Sequence, residues 1–201
     1  MGLYRTLITD NLQSAGYTVT FLSDTAVTLD VLQNQLDNYN VILWRTNTYT
    51  FDHLTYWYVG QRDNAVTEQA YASDVANGYV NVNAGVLGVT SDFFSNHLSS
   101  GSLRNVTLVV LVSSDSDVLA PIFVNAGSQS VIVCNADITL TFGTIDDLTA
   151  SLFSYLATGQ DVYDAVYHTV SPYVTITLND ELDNNYTPPF AFFGDSTVTL
   201  T

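Results

Sequence analysis

Apolar residues recur with helical spacing at the start of the chain. Five of them lie on one face of a predicted helix: Leu3, Leu7, Ile8, Leu12 and Ala15. We expect this helix to stop at Gly16, a favoured residue just past a helix end. The next segment, YTVTFLS, is rich in β-branched and aromatic residues and predicts a strand.

The alternation of helix and strand continues beyond this segment. Thr28 is a candidate N-cap for a helix whose apolar face is formed by Leu29, Leu32, Leu36 and Tyr39. The run NVILWRTN then predicts a strand that is buried on both faces, as in a parallel sheet. Helices of this length serve as crossovers between parallel strands.

The remaining pattern extends the same architecture. TYTFDHLTYWYVG predicts a β-hairpin whose aromatic residues either pack on the domain or present a face to a partner. Helices are then predicted in VTSDFFSNHL, VLAPIFVNAG, TIDDLTASLFSYLATG and DVYDAVYHTV, and strands in LVVLV, SQSVIVCN and FAFFG. No repeat or linker interrupts the order, so residues 1–201 are predicted to form a single α/β domain.

Basic residues are nearly absent from this chain. Four arginines and no lysine leave a net charge of −16, although only 12% of the residues are charged. Nucleic-acid binding requires clustered Lys and Arg, so we do not expect it. No run approaches the roughly 18 apolar residues that span a bilayer, and the first residues lack a signal-peptide core. The base-poor composition predicts an extracellular or cell-surface location, with a cytoplasmic one left open.

Few residues suggest covalent or metal chemistry. Cys134 is the single cysteine and lies in the apolar run SVIVCN, which predicts a free, buried thiol. The three histidines share no ligand-like spacing, so we expect neither a metal nor a cofactor. Asn105 and Asn185 begin the sequons NVT and NYT and are candidate glycosylation sites, although such sequons also arise by chance in a chain rich in Asn and Thr.

The order of several segments resembles a known fold. LQSAGYTVTFLSDTAVTLDVLQNQLDNYNVILWRTN, LRNVTLVVLVSSDSDVLAPIFVNAGSQSVIVCNADIT and the closing FAFFGDSTVTL resemble the caspase-like fold of clan CD cysteine peptidases, particularly the prokaryotic branch related to gingipains and CHAT-type domains. The resemblance implies a three-layer sandwich with a mostly parallel central sheet flanked by helices, together with a β-hairpin excursion. It also implies a histidine just past one strand and a nucleophilic cysteine just past another.

Both catalytic places of the resembled family differ in this chain. The place of the histidine falls at Asn47, and that of the cysteine falls at Ser114 to within a residue. An amide cannot shuttle a proton near pH 7, and a hydroxyl without an adjacent base is a poor nucleophile. We therefore expect a catalytically inactive domain with a binding or structural role. A hydrolase that uses Ser114 with a rearranged base such as His53 is the alternative.

Acidic residues follow the same strand ends. Asp115, Asp117 and Asp137 form a candidate acidic cleft, since the resemblance implies selection of a basic side chain near this edge and Asp oxygens suit Ca²⁺. Turn chemistry is the favoured explanation, because Asp and Ser populate loops by bonding their own backbone.

The resembled fold begins with an interior strand, whereas here the helical pattern starts directly after Met1. An absent interior strand leaves backbone N–H and C=O groups unpaired, at about 1–3 kcal/mol each. Three explanations of the missing strand are open: the flanking strands close up, a preceding segment lies outside this sequence, or another chain inserts a strand. The alternating tail from Thr197 to Thr201 is a candidate for such exchange, which would make the protein a subunit of an extracellular filament or lattice.

Overall fold

The computed structural model describes residues 3–134, 141–178 and 189–200, and at residues 142 and 172–178 it describes the backbone alone. The helices are α1 (Leu3–Ser14), α2 (Ala65–Ala70), α3 (Ala72–Ala76), α4 (Ser91–His97), α5 (Ala120–Asn125), α6 (Phe142–Ala157) and α7 (Val162–Leu178). The strands are β1 (Val41–Arg45), β2 (Thr48–Phe51), β3 (Leu54–Arg62), β4 (Val80–Asn83), β5 (Val86–Val89), β6 (Leu108–Val112), β7 (Ser130–Cys134) and β8 (Phe190–Gly194). None of the described helices is long and apolar enough to span a membrane.

The central sheet has the strand order β1-β6-β7-β8. β1, β6 and β7 are parallel, and β8 is antiparallel to β7. Every residue of β6 and β7 is buried, as their continuous apolar runs predict. The structure thus confirms an α/β fold with a mostly parallel sheet flanked by helices.

Alternate residues of the central strands contribute to two cores. Leu108 and Val110 of β6 face a core that they share with α1, α6 and α7. Val109 and Leu111 face the other core, to which α4, α5 and a second sheet contribute. The central sheet is therefore the middle of three layers.

The second sheet is antiparallel, with the order β2-β3-β5-β4, and it contains the predicted hairpin. Asp52 and His53 at the β2–β3 turn have φ values of 48° and 63°, as a type I′ hairpin turn requires. Trp57 is 1% exposed and Phe51 is 57% exposed. Tyr56 is also buried, so the aromatic residues are divided between core and surface and neither interpretation of the aromatic run describes all of them.

The prediction of a strand at YTVTFLS is wrong. Residues 17–23 form no strand, and no backbone hydrogen bond joins residues 18–22 to any other part of the described chain. A β-type sequence becomes a strand only when a partner strand satisfies its backbone, and in the described structure none lies beside this segment.

The helix predicted after Thr28 is present but irregular. The Thr28 hydroxyl accepts the N–H of Val31 at 3.2 Å, as a cap should. A π-helical turn (Val31–Gln35) and a 3₁₀ turn (Leu36–Asn38) replace a regular α-helix. The predicted apolar face is nevertheless buried at all three of its leucines.

The first helix has the predicted bounds, and the chain leaves it at Gly16 with φ of 88°. Its apolar face is only partly covered, since Ile8 and Leu12 are buried whereas Leu3 and Leu7 are exposed. α1 packs mainly on α6 rather than on a strand. The helix is therefore held mainly by α6, with part of its apolar face left uncovered.

Candidate functional site

Asn47 and Ser114 lie at the same edge of the central sheet. β1 and β6 are parallel with Arg45 opposite Val112, so both residues follow their strands by two positions. Both side chains are exposed, and the Asn47 carbonyl accepts the Tyr58 N–H at 3.0 Å. This edge presents an amide and a hydroxyl.

The loop around Ser114 is held by hydrogen bonds of its neighbours. Ser113 Oγ accepts a hydrogen bond from Trp57 Nε1 at 3.0 Å. The buried hydroxyl of Ser116 donates to the Cys134 carbonyl at 3.0 Å. Ser114 is exposed between these two serines, which tie the loop to β3 and β7.

The candidate acidic cleft is only partly within the described structure. Asp115 has a left-handed φ of 55°, and its carboxylate accepts the Thr55 hydroxyl at 3.3 Å. Asp117 is exposed in a short 3₁₀ helix, and Asp137 lies outside the described residues. Asp115 therefore lies in a turn and Asp117 in the 3₁₀ helix that follows it, and no group of three or more potential ligands in the described chain is placed to hold a metal.

No histidine of the described chain completes a catalytic pair with Ser114. His53 is exposed at the hairpin turn. Nε2 of His97 lies 3.1 Å from a carboxylate of α3, and His168 packs beside an aromatic ring of α6. The hydroxyl of Ser114 consequently has no adjacent base in this structure to activate it.

Cys134 is a free, buried thiol at the end of β7. Burial raises its pKa from 9.0 to about 11. The thiol is therefore protonated near neutral pH, whereas the thiolate is the nucleophilic form of cysteine.

Asn105 is exposed but its amide is bound locally. Nδ2 donates to the Asp37 carboxylate at 3.0 Å and to the Asp37 carbonyl at 3.4 Å. A glycan attached to this nitrogen replaces one of its two N–H groups, so one of these two hydrogen bonds to Asp37 would be lost. Asn185 lies outside the described residues, so glycosylation at both sites stays a prediction.

β1 forms an open edge of the central sheet. Its four apolar residues are only half-buried, unlike those of β6. Backbone groups of Asn40 and Thr46 bond to β6, and in a parallel strand alternate residues bond on the same side. The N–H and C=O groups of Val41 and Leu43 therefore point away from β6, where the described structure contains no pairing strand.

A groove of about 1110 Å³ lies beside this edge. β1 and the extended segment 17–23 line it, together with α1 and the irregular helical turns after Thr28. Apolar side chains from both cores contribute: Ile8, Leu12, Val19, Leu32, Ile42 and Trp44.

Two of the four arginines line the groove. The guanidinium of Arg5 lies over the Phe21 ring, and its buried Nε has no hydrogen-bond partner in the described structure. Arg45 donates to the Asp146 carboxylate at 2.6 and 3.2 Å and lies 5.6 Å from the Tyr4 ring. Asp24 also lines the groove and Arg45 is already paired with Asp146, so Arg5 is the groove arginine for which the described structure shows no carboxylate partner.

From the sequence, the absence of a first strand is an expectation with three explanations, and neither Arg5 nor Phe21 is among the candidate site residues. Their signal is weak, because an arginine near a helix start is ordinarily a solvent-exposed residue. The scarcity of arginine in this chain was the available clue. No protein-family model matches the chain, and no curated protein matches its sequence.

Proposed function

We propose that this protein is a catalytically inactive, caspase-like α/β domain that binds an extended strand of a partner chain in the groove beside β1. The open apolar edge of β1 carries the proposal. Unpaired apolar edges promote association, and proteins normally cover or charge them. Strand addition would pair the backbone groups of Val41 and Leu43 and would bury the groove-lining side chains.

The composition of the carboxyl edge supports binding rather than catalysis. Asn47 cannot act as a base, and Ser114 has no base beside it in the described structure. The neighbouring serines, Ser113 and Ser116, hold the loop in place through hydrogen bonds to Trp57 and Cys134. A hydrolase would require a rearrangement that brings His53 to Ser114.

An extracellular or surface location is part of the proposal, and it is supported by the scarcity of basic residues. In that setting the domain can join a filament or lattice by strand exchange. The tail is less suited as donor, because Val198 and Leu200 are 6% and 0% exposed in their own domain. The Val198 carbonyl also accepts the Val162 N–H at 2.9 Å. A strand from another source is the simpler occupant.

A peptide-binding experiment tests strand addition. The probe is a fluorescent nine-residue peptide, GSTVIVVID, whose apolar residues supply both faces, and binding is followed by polarisation. Methylation of alternate backbone nitrogens removes donors without removing side chains. We expect one of the two alternate methylation patterns to weaken binding by at least about tenfold, since each net hydrogen bond contributes about 1 kcal/mol.

Two variants at one position provide the matched control. Leu43→Pro removes an N–H that faces the groove, whereas Leu43→Ala shortens the side chain and keeps that N–H. We expect the proline variant to bind the peptide about three- to tenfold more weakly than the alanine variant. Equal binding by the two variants, with no effect of methylation, would contradict strand addition.

A further inference from the structure

We propose that the groove selects a strand that runs parallel to β1 and ends in a carboxylate held by Arg5. This inference rests on the proposed function and names the chemistry of the partner. The occupant is a peptide segment with apolar residues on both faces and an acidic carboxyl end. Three features support it: the position of the arginines, the lack of a carboxylate partner for Arg5 in the described structure, and the apolar lining on two sides.

The position of Arg5 along the groove follows from the packing of α1 and of segment 17–23. Tyr4, next to Arg5 in α1, contacts the guanidinium of Arg45 at the carboxyl end of β1. α1 then runs back toward Gly16, and segment 17–23 returns so that Phe21 meets Arg5. Arg5 therefore lies at the carboxyl end of the groove.

The hydrogen bonding of Arg5 differs from that of Arg45. Its Nε is buried and has no hydrogen-bond partner in the described structure. Asp24 also lines the groove but makes no bond to this atom. Arg45 differs, because it already binds Asp146. A carboxylate is the acceptor that a guanidinium binds most strongly, through charge-assisted hydrogen bonds.

The charges at the two ends of the groove affect the direction in which a bound strand runs. A strand parallel to β1 brings its own carboxyl end to Arg5, whereas an antiparallel strand brings its amino end there. A free amino group beside a guanidinium is repelled, and a carboxylate is attracted. The opposite end of the groove is lined by uncharged residues such as Asn38, Tyr39 and Asn40. Asp24 follows Ser23 at the same end as Arg5, but its side chain is exposed and its charge is screened by solvent, so charge still favours the parallel direction.

A strand bound in the groove must bury side chains on both of its faces. Val41 and Leu43 of β1 face the core on the α1 side, and Ile42 and Trp44 face the opposite core. A strand inserted beside β1 meets both cores in the same way. It must therefore be apolar at consecutive positions, as interior parallel strands are.

The test compares two peptides and two arginine variants. GSTVIVVID with a free carboxyl terminus is compared with GSTVIVVIN carrying a terminal amide. We expect the uncharged peptide to bind at least about tenfold more weakly to the unmodified protein, as loss of a charge-assisted bond predicts. Arg5→Gln should remove this difference, whereas Arg62→Gln, at an exposed position outside the groove, should preserve it.

Disulfide capture reports the direction independently. In a Cys134→Ala background, a single cysteine replaces Thr18 or Ser23, both of which are exposed and line opposite ends of the 17–23 wall. A peptide with a carboxyl-terminal cysteine should be captured by Ser23→Cys and not by Thr18→Cys. An amino-terminal cysteine should give the opposite result.

The outcomes separate this inference from the proposed function. Carboxylate-dependent binding with parallel capture supports both. Equal binding of the two peptides, or antiparallel capture, overturns the inference and leaves strand addition in place. Absence of binding by both peptides up to about 1 mM overturns both.

Discussion

Ser113 and Ser114 are adjacent in the chain but have different surroundings. Ser113 accepts the indole N–H of the buried Trp57, whereas Ser114 is exposed. We predict that Ser113→Ala lowers the free energy of unfolding by about 1–3 kcal/mol, because it leaves a buried donor unpaired. Ser114→Ala should change it by less than about 0.5 kcal/mol. Urea denaturation measures both, and a reversed ranking would contradict the assigned roles.

The same pair tests the hydrolase alternative. Fluorophosphonate probes label activated serines, and we expect no labelling of the protein because Ser114 has no base beside it in the described structure. Labelling that Ser114→Ala abolishes and Ser113→Ala preserves would support a hydrolase.

Cys134 predicts a pH dependence of stability. Burial raises the pKa of its thiol from 9.0 to about 11, so the folded state favours the protonated form. This contribution is present below pH 9 and is lost as the pH rises toward 11. The free energy of unfolding should fall across this window by on the order of 1–2 kcal/mol more than in Cys134→Ala. Identical pH profiles for the two proteins would show that the thiol does not contribute.

At the scale of elements, β3 fixes the wall of the groove. The Gln61 N–H donates to the Val27 carbonyl at 3.0 Å, and its side chain accepts the Leu29 N–H at 2.9 Å. Gly60 permits this approach, since a Cβ there would overlap the backbone of Asp24. The segment that follows residues 17–23 is therefore positioned by the second sheet rather than by a strand partner.

We predict that Gly60→Ala destabilises the protein by about 1–3 kcal/mol, because the added methyl group forces the Asp24 backbone to move. It should also weaken peptide binding, since Asp24 lines the groove. Gly143→Ala is the matched control: this residue lies in α6, where an added Cβ would meet only the Thr141 hydroxyl at 3.9 Å, and alanine there should stabilise the helix by up to about 1 kcal/mol. Chemical denaturation of both variants checks the prediction, and equal effects would refute it.

At the scale of the whole molecule, the net charge of −16 affects both stability and association. Like charges repel within the folded chain and between copies, and salt screens this repulsion over about 8 Å at physiological ionic strength. Screening also weakens the Arg45–Asp146 pair, which is the one arginine–carboxylate ion pair found in the described residues, but acidic residues outnumber basic ones by 20 to 4.

We therefore predict that stability increases with salt, by about 1 kcal/mol between low and physiological ionic strength. Urea midpoints measured in sodium chloride and in tetramethylammonium chloride separate general screening from specific ion binding. A decrease with both salts would mean that attractive pairs dominate the electrostatics of this fold.

The sequence by itself determined the elements whose signals are local. The spacing of Ile8 and Leu12, the Thr28 cap and the apolar runs of β6 and β7 specify helices and buried strands without knowledge of their partners. Hydrophobic periodicity and capping are properties of neighbouring residues, so they can be recognised in one dimension. The choice of Asn47 and Ser114 came instead from the resemblance to the caspase-like fold, and their position two residues past β1 and β6 is seen in the structure.

Tertiary structure decided whatever depends on a partner distant in the chain. YTVTFLS has the composition of a strand, yet residues 17–23 remain unpaired because no strand lies beside them in the described structure. β1 has the pattern of an interior strand but is an edge strand for the same reason. The vacant bond of Arg5 and the pairing of Trp57 with Ser113 exist only once separate elements meet, since backbone pairing and buried hydrogen bonds are set by packing rather than by local sequence.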